Sequence, residues 1–489
     1  MRSLLLPVLS IAAAFGGISA ASSADIPRPI LKAPAAAAAI NWTGFYLNGG
    51  LGYGMWVADT QSLNPVTGAP AAILGNPLGV MRQGGRGWLG RVGGGYDYQF
   101  TTNIVAGLFA DFDFSNLRGS VQDQVGLVTG DVKQEWSWAA GGRIGWLIDP
   151  AVLSYFTAGY TATHFSGASL VGVSGAATPM AVSAYNGGGW FLGGGVETAI
   201  ASGWFWRTEY RLSEFGRKTL LDRNATTGAI SGCCADISFK PIVQTFTTQI
   251  VYKFGQGGAG PSVIPVAAPR AAAKWSGVYL NAGAGYGMWA ADTTTTQAGA
   301  GLAANVIAHP ERQGGKGWLG RAGGGYDHQV SPNIVAGFLA DFDFSSLKGT
   351  LQDPDIVVSG ELKQKWSWSV GGRAGLLLQP SLLAYLDGGY TSARFSSTSL
   401  SGPVVLAGFV PAGLGTPAFT QNGWFIGGGT EYALSSIASG LFWRNEYRYA
   451  QYGTQDLPDT VPGTATAYNT FHVRPAVQTI ASQLVYKFN

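Results

Sequence analysis

Residues 206–212 read Trp-Arg-Thr-Glu-Tyr-Arg-Leu, and residues 443–449 read Trp-Arg-Asn-Glu-Tyr-Arg-Tyr. In both stretches, Arg and Glu occupy one set of alternate positions, and mostly aromatic residues occupy the other. Successive side chains of a β-strand point to opposite faces of a sheet, so this pattern predicts a strand with one charged and one apolar face. The near-identity of the two stretches also indicates an internal repeat.

The composition excludes several protein classes. The 489 residues include 74 Gly, only 12% charged residues and 46% hydrophobic residues. Disordered chains and coiled coils need much more charge, and glycine at this abundance disfavours long helices. The formal net charge of +3 gives no reason to expect nucleic acid as a partner.

The repeat covers almost the whole chain. Residues 82–91 return at 312–321, and residues 103–114 return at 333–344. These matches place one repeat at 41–254 and a second at 274–489. A Gly/Ala/Pro-rich linker at 255–273 lies between them, and a Pro/Ala-rich segment at 25–40 precedes the first.

The N-terminal 24 residues have the features of a secretory signal. Arg2 supplies the positive start, residues 4–15 form an apolar core, and Ser22-Ser23-Ala24 offers small residues for cleavage after Ala24. No later stretch reaches the ~18 consecutive apolar residues of a transmembrane helix. The sequence therefore predicts an exported chain with no helical membrane anchor.

Each repeat contains eight alternating stretches. In the first repeat they lie near 44–56, 87–99, 104–117, 135–148, 153–165, 189–200, 205–216 and 243–254. The spacers at 57–86, 118–134, 166–188 and 217–242 are long, whereas those at 100–103, 149–152 and 201–204 are short. This rhythm is typical of an all-β, transmembrane antiparallel up-and-down β-barrel. We predict two tandem eight-stranded barrels, with one merged 16-stranded barrel as the alternative.

The charged faces are expected to point into the barrel and the aromatic faces towards lipid, because aromatic residues concentrate at membrane interfaces. Acidic and basic residues nearly cancel, as buried charges must. We therefore predict an ion-pair network that fills a narrow lumen, and we keep a selective path as the alternative. The network, called the lumen charge network below, consists of Arg91, Asp111, Asp113, Arg143, Glu197, Arg207, Glu209, Arg211, Arg321, Asp341, Asp343, Arg373, Asp387, Glu431, Arg444, Glu446 and Arg448.

Three stretches carry a family resemblance: Trp-Thr-Gly-Phe-Tyr-Leu-Asn-Gly-Gly-Leu-Gly-Tyr at 42–53, Gly-Arg-Val-Gly-Gly-Gly-Tyr at 90–96, and the Trp-Arg-Thr-Glu-Tyr-Arg stretch. They resemble the small outer-membrane barrels of alphaproteobacteria, the porin-like and opacity-protein-like immunogenic surface proteins. The resemblance implies an outer-membrane location, outer-membrane lipid as surroundings, a role in envelope integrity or surface contact, and no catalysis.

The last strand of each repeat ends in aromatic residues, Tyr252 and Phe254 in one and Tyr486 and Phe488 in the other. They resemble the barrel-closing end that the outer-membrane assembly machinery reads. The resemblance adds host or environmental surface ligands as partners of the loops. In the second repeat, Asn489 follows the final Phe488 and departs from that pattern.

Two further function classes are weighed against a structural surface barrel. A merged 16-stranded barrel would act as a diffusion porin for small hydrophilic solutes. A membrane-embedded hydrolase is disfavoured, because none of the four histidines recurs at the matching position of the other repeat. The adjacent Cys233 and Cys234 match no metal-ligand spacing, so we predict no metal site and no cofactor.

Overall fold

The computed structural model describes residues 40–173, 175–230, 234–255, 273–297, 310–353, 357–406, 412–435, 437–461, 464 and 467–488. The predicted signal at 1–24 with its cleavage at Ala24, most of the segment at 25–40, and most of the linker at 255–273 lie outside these residues. Cys233 and Asn489 lie outside them as well. The domain boundaries proposed from the sequence therefore remain predictions.

The first repeat folds into a closed antiparallel barrel. Its first strand, β1, pairs with β2 on one side and with β8 on the other, which closes the ring. The strands are β1 (Gly44–Leu63), β2 (Met81–Gln99), β3 (Ile104–Asp123), β4 (Val128–Asp149), β5 (Val152–Phe165), β6 (Tyr185–Ala201), β7 (Trp204–Phe215) and β8 (Asp236–Lys253).

The second repeat closes in the same way, because β9 pairs with both β10 and β16. Its strands are β9 (Gly277–Gln297), β10 (Glu311–Ser331), β11 (Ile334–Asp353), β12 (Val358–Gln379), β13 (Leu382–Phe395), β14 (Phe419–Ala433), β15 (Leu441–Tyr452) and β16 (Ala467–Phe488). Among the residues that the structure describes, one backbone bridge, Gln83 to Gln313, joins the two rings. The pairing follows the two-barrel arrangement rather than the merged 16-stranded alternative.

Several strands run further than the sequence pattern predicted. The spacer predicted at 118–134 is mostly strand, since β3 ends at Asp123 and β4 begins at Val128. The register of these strands shifts between Phe114 and Leu117. Before the shift Phe114 is exposed on the outside, whereas after it Leu117 and Val121 are buried inside. The two faces exchange polarity there, so the membrane-type pattern ends although the strand continues.

The long connections between the strands, all at one end of each barrel, contain further short strands and one short helix. They are the strands Ala72–Ile73, Asn76–Pro77, Ala168–Gly172, Ala177–Val182, Lys218–Leu220, Asp222–Asn224, Thr398–Ser399, Gly415–Thr416 and Gln455–Thr460, and the one-turn helix α1 (Pro403–Leu406). Within the described ranges, no helix is long and apolar enough to span a membrane. We call this end of each barrel the long-loop end and the opposite end the short-turn end.

The outward side chains nearer the short-turn end form an apolar band. Leu108 is 71% exposed and Phe156 is 70% exposed, although both sit on regular strands. Aromatic residues bound the band, including Trp88 towards the long loops and Trp204 towards the short turns. Exposed apolar residues between aromatic girdles are the pattern of a barrel surface in lipid.

The two barrels contact each other through equivalent residues. The Arg82 guanidinium donates to the backbone oxygen of Lys348 at 3.2 Å, and the Arg312 guanidinium donates to that of Arg118 at 2.6 Å. Each contact repeats the other with the two barrels exchanged. The interface is therefore isologous, as in a two-fold dimer, although one chain supplies both halves.

Part of the face expected to contact lipid lies in this interface. Phe246 stacks on Tyr447 with ring centroids 4.5 Å apart, and Tyr53 meets Tyr449 at 5.3 Å. Leu212 packs against a buried apolar cluster shared by the barrels, made of Met55, Val57, Met288, Ala290 and Ala476. The expectation of lipid contact is therefore wrong for Tyr447, Tyr449 and Leu212, although they do point outward.

Candidate functional site: the barrel interior

One cluster of charges fills the first barrel near the short-turn end. The Arg143 guanidinium donates to Glu197 at 2.9 Å and to Asp97, and Arg207 donates to the same Glu197 at 2.6 Å. The Lys253 ammonium lies 2.6 Å from Asp97 and 3.1 Å from Glu197. All five side chains are buried. Burial of so many charges is tolerable because each has a hydrogen-bonded partner of opposite sign.

A second cluster lies above the first, towards the long loops. Arg91 makes a two-pronged contact with Asp113 at 2.7 and 2.8 Å and also donates to Glu209 at 2.8 Å. Arg211 contacts Asp111 in the same two-pronged way and reaches Glu209 at 2.8 Å. The planar guanidinium suits this geometry, since its N–H groups match two carboxylate oxygens at once.

The second barrel repeats both clusters. Arg373 and Arg444 bond to Glu431 at 2.9 and 2.7 Å near the short turns, and Lys487 bonds to the same carboxylate at 2.9 Å. The upper cluster joins Arg321 to Asp343 at 2.7 Å and to Glu446 at 2.5 Å. Its remaining pairs join Arg448 to Asp341, Asp387 and Glu446.

The interiors of the two barrels differ in their balance of cations and anions. In the first barrel, five cations (Arg91, Arg143, Arg207, Arg211, Lys253) face five anions (Asp97, Asp111, Asp113, Glu197, Glu209). In the second, five cations (Arg321, Arg373, Arg444, Arg448, Lys487) face six anions (Asp327, Asp341, Asp343, Asp387, Glu431, Glu446). The additional acid is Asp387, which pairs across from Arg373 where the first barrel pairs Thr157 with Arg143.

All 17 residues predicted for the lumen charge network lie in these clusters, together with four partners that the prediction did not include. Asp97 and Lys253 complete the lower cluster of the first barrel, and Asp327 and Lys487 complete that of the second. A signal was present, since Asp97 lies between Tyr96 and Tyr98 at a charged-face position. Two inward glycines separate Asp97 from Arg91 and Asp327 from Arg321, and Lys253 and Lys487 are the only charges on the inward face of their strands, so no run of alternating charge marked the four residues.

Apolar side chains close the short-turn end of each barrel. Trp42, in the segment just before β1, is fully buried against Phe205, and its indole N–H donates to the backbone oxygen of Pro150 at 3.0 Å. Trp275 takes the same place before β9, and its indole N–H donates to the backbone oxygen of Pro380 at 3.1 Å. The chain entering each barrel therefore covers its mouth.

A larger apolar cluster closes the long-loop end. In the first barrel it includes Trp56, Leu117, Phe165, Tyr185 and Phe239, and in the second Trp289, Leu347, Phe395, Phe419 and Phe471. A cavity of about 20 Å³ lies where this cluster meets Arg321 and Asp343 in the second barrel. That volume holds about one water molecule. The interior is thus layered as apolar cap, ion pairs and apolar plug.

The barrel-closing aromatic residues point outward at the short-turn end. Tyr252 and Phe254 lie in edge contact at 5.1 Å, and Tyr486 and Phe488 repeat this contact at 5.1 Å. All four side chains are exposed on the barrel surface. They lie in the aromatic girdle of the apolar band, Tyr486 and Phe488 on β16, Tyr252 on β8 and Phe254 directly after β8.

Comparison with known proteins agrees with this architecture. The family model of the outer membrane protein beta-barrel domain matches residues 11–254 and again residues 262–488. The 31 kDa outer-membrane immunogenic protein of Brucella melitensis biotype 1 is 27% identical over 224 residues, which cover 45% of this chain and 90% of that protein. The protein of the same name from Brucella suis biovar 1 gives the same values.

Solved structures show a more distant likeness. A FadL homologue of Pseudomonas aeruginosa aligns with a TM-score of 0.28 and 12% identity over 91% of each chain. Neisserial surface protein A aligns with a TM-score of 0.23 and 17% identity over 44% of this chain and 99% of its own. The relatives and matched family are outer-membrane barrel proteins rather than enzymes. This chain belongs to the outer membrane protein beta-barrel domain family, carries that domain twice in tandem, and is located in the outer membrane.

Proposed function

We propose that this protein is a non-conducting structural barrel pair of the bacterial envelope, whose long loops contact the surroundings of the cell. The observation that carries the proposal is the layered filling of each interior. An eight-stranded barrel is only wide enough for side chains. Here those side chains form paired charges between two apolar layers. Hydrated solutes would have to displace both layers and separate the ion pairs.

The alternative function, a diffusion porin, is not supported by the strand pairing. It requires a barrel of about 16 strands, the size at which an aqueous channel opens. The closing pairs β1–β8 and β9–β16 are each formed over the full length of the membrane-facing strand segments. Opening them would expose unpaired backbone groups to lipid at several kcal/mol per group.

Planar-bilayer conductance tests the closed interior. Purified protein, inserted into the bilayer and verified there by immunodetection, should give no steps on the nanosiemens scale. A variant in which both apolar caps are reduced, with Trp42→Ala and Trp275→Ala, serves as a comparison for leakage. Reproducible nanosiemens steps from the unmodified chain would refute the proposal.

The loops supply the second part of the proposal. Outer-membrane barrels place short turns on the periplasmic side and long loops outside the cell. We therefore propose that the long-loop end carries the contacts to host or environmental ligands. Gly68 lies at an exposed turn with open space around it, so an epitope tag there should be accessible to antibody on intact cells. A tag at the short turn Thr101-Thr102 should be hidden or block assembly, and labelling only at that turn would reverse the orientation.

Assembly should depend on the closing strand. In β16, residues 482–488 pair with β9 on one side and mostly with β15 on the other, and the strand presents Tyr486 and Phe488 outward. We propose that the assembly machinery recognises this strand. Deletion of residues 482–489 should deplete the protein from outer-membrane fractions, while the same-length deletion within a long loop should not. Normal insertion of the truncated chain would contradict the proposal.

A further inference from the structure

Three side chains with metal-binding atoms converge at the long-loop end of the first barrel. Asp123 ends β3, Asp222 begins the short strand Asp222–Asn224, and Cys234 precedes β8. Their carboxylate oxygens and thiol sulfur lie within 4.8 Å of one another, and all three residues are buried. Asp222 and Cys234 lie 12 residues apart in the connection between β7 and β8, whereas Asp123 lies on β3, so the folding of this connection over the barrel end brings the three together.

The Asp222 carboxylate lacks hydrogen-bond donors of its own. The residue is only 2% exposed, and neither carboxylate oxygen has a hydrogen-bond partner. The carboxylates of Asp123 and Asp236 lie nearby and add like charge around Asp222. A buried, unpartnered carboxylate is costly. A cation between Asp222 and its neighbours would remove this cost.

Asp123 is held in place by its surroundings. Its carboxylate accepts hydrogen bonds from Ser62 Oγ and the backbone N–H of Val125 at one oxygen, and from the backbone N–H groups of Gly126 and Ala235 at the other, all at 2.9–3.0 Å. The bond to Ala235 fixes the backbone directly after Cys234. A metal bound through one of these oxygens would replace one of the two hydrogen bonds there.

In the second barrel, a neutral residue donates hydrogen bonds to the two equivalent buried carboxylates. Asp353 ends β11 as Asp123 ends β3, and Asp459 lies between the seventh and eighth strands as Asp222 does. The Asn469 side-chain amide donates to Asp353 at 2.6 Å, and its backbone N–H donates to Asp459. This leaves one oxygen of Asp459 unpaired, whereas both oxygens of Asp222 are unpaired. The first barrel has a thiol close to its two acids, where the second has an amide donor.

We propose that Asp123, Asp222 and Cys234 bind a divalent transition-metal cation of the Zn²⁺ type. A thiolate with two carboxylates suits Zn²⁺, whereas Mg²⁺ and Ca²⁺ select oxygen ligands alone. Zinc bonds of about 2.0–2.3 Å in a tetrahedron place ligand atoms roughly 3.3–3.8 Å apart. Since the three atoms lie at most 4.8 Å apart, they need to close by no more than about 1.5 Å around the ion, and the fourth position stays open to water.

Metal titration of the full chain tests the proposal. The protein, folded in detergent with its thiols reduced, is titrated with Zn²⁺ against a chromophoric chelator and with Co²⁺ by absorption. We expect one tight equivalent per chain and a thiolate-to-cobalt charge-transfer band. Asp222→Asn and Cys234→Ser should each weaken binding at least about tenfold, and Cys234→Ser should also remove the band. Asp459→Asn in the second barrel is the matched control and should bind as the unmodified chain does.

The assay distinguishes the assigned ligands from their neighbours. Cys233→Ser should retain the charge-transfer band, and its loss there but not in Cys234→Ser would overturn the assignment. Absence of a tight equivalent, or equal affinity in Asp222→Asn, would also overturn it, as would a Cys233–Cys234 disulfide in protein isolated without reductant. Heat-modifiable electrophoretic mobility verifies folding of each variant. Asp222→Asn removes an unpartnered buried charge, so it should fold at least as well as the unmodified metal-free chain.

Discussion

Neutralising Glu209 without changing its shape tests whether charge balance holds the interior together. The Glu209 carboxylate accepts from Arg91 at 2.8 Å, from Arg211 at 2.8 Å and from the Tyr155 hydroxyl at 3.0 Å. Glu209→Gln leaves five buried cations facing four anions and turns an amide N–H₂ towards a guanidinium. Breaking a buried ion pair costs about 3–5 kcal/mol. Arg91 keeps Asp113, so we expect about 3 kcal/mol, the lower end.

Asp387→Asn is the matched change in the other barrel. It is also isosteric, but it removes the sixth anion from a barrel that has five cations. Arg448 reaches Asp387 at 3.2 Å and keeps its shorter contacts to Asp341 at 2.9 Å and Glu446 at 2.7 Å. The other oxygen of Asp387 has no hydrogen-bond partner. We therefore expect a loss below about 1 kcal/mol, or a gain, because little pairing is lost and an excess charge is removed.

Urea unfolding of the full chain in detergent micelles, followed by tryptophan fluorescence, measures both variants under one condition. A loss of 3 kcal/mol lowers the equilibrium constant for folding by roughly two orders of magnitude, since about 1.4 kcal/mol corresponds to a factor of ten. The slope of the transition shows whether the two barrels still unfold as in the unmodified chain. Equal losses, or a larger loss for Asp387→Asn, would refute the charge-balance argument.

Three further measurements probe other parts of the molecule. Leu108→Arg, on the lipid band, should destabilise the protein by about 2–4 kcal/mol in bilayer vesicles, and no loss there would place the band elsewhere. Burial raises the pKa of Glu311 to about 8, so its stabilising contribution is full below pH 4.5 and is lost as the pH rises to 8. Glu311→Gln should therefore stabilise the protein at pH 9 and change little at pH 4, and a pH-independent effect would contradict this. Asp292→Ala removes the partner of Arg86 at 2.6 Å and of Arg312 at 2.6 Å, both partly exposed, so it should cost about 1 kcal/mol or less in chemical unfolding. A much larger loss would show that this interface pair is effectively desolvated.

The strands and their faces were predictable because the pleat of a strand is a local property. Arg207, Glu209 and Arg211 share a face whatever the rest of the chain does. What the opposite, outward face contacts is not a local property of the strand. Tyr447 and Tyr449 point outward as predicted, yet they contact another barrel rather than lipid. Lipid and a neighbouring barrel are both apolar, so the alternation pattern cannot distinguish them.

The length of the strands and the buried acids of the long-loop end escaped prediction for a related reason. Beyond Leu117 the inward face becomes apolar, as in a barrel in water. The alternation of inward charge that identifies the membrane strands therefore stops at this point. Asp123, Asp222 and Cys234 belong to this region and lie on three separate segments. Their proximity depends on how the hairpins fold over the barrel end, and the spacing of residues along the sequence contains no measure of that.

The reciprocal interface has a consequence for further association. An isologous contact uses the same patch on both halves, so its formation leaves no unsatisfied copy of that patch. Here Arg82 and Arg312 make their equivalent contacts within one chain, and Gln83 meets Gln313 between them. The tandem chain therefore covers its own dimerisation face. A second molecule would have to associate through a different surface, such as the lipid band or the long loops, and the loops differ most between the two repeats.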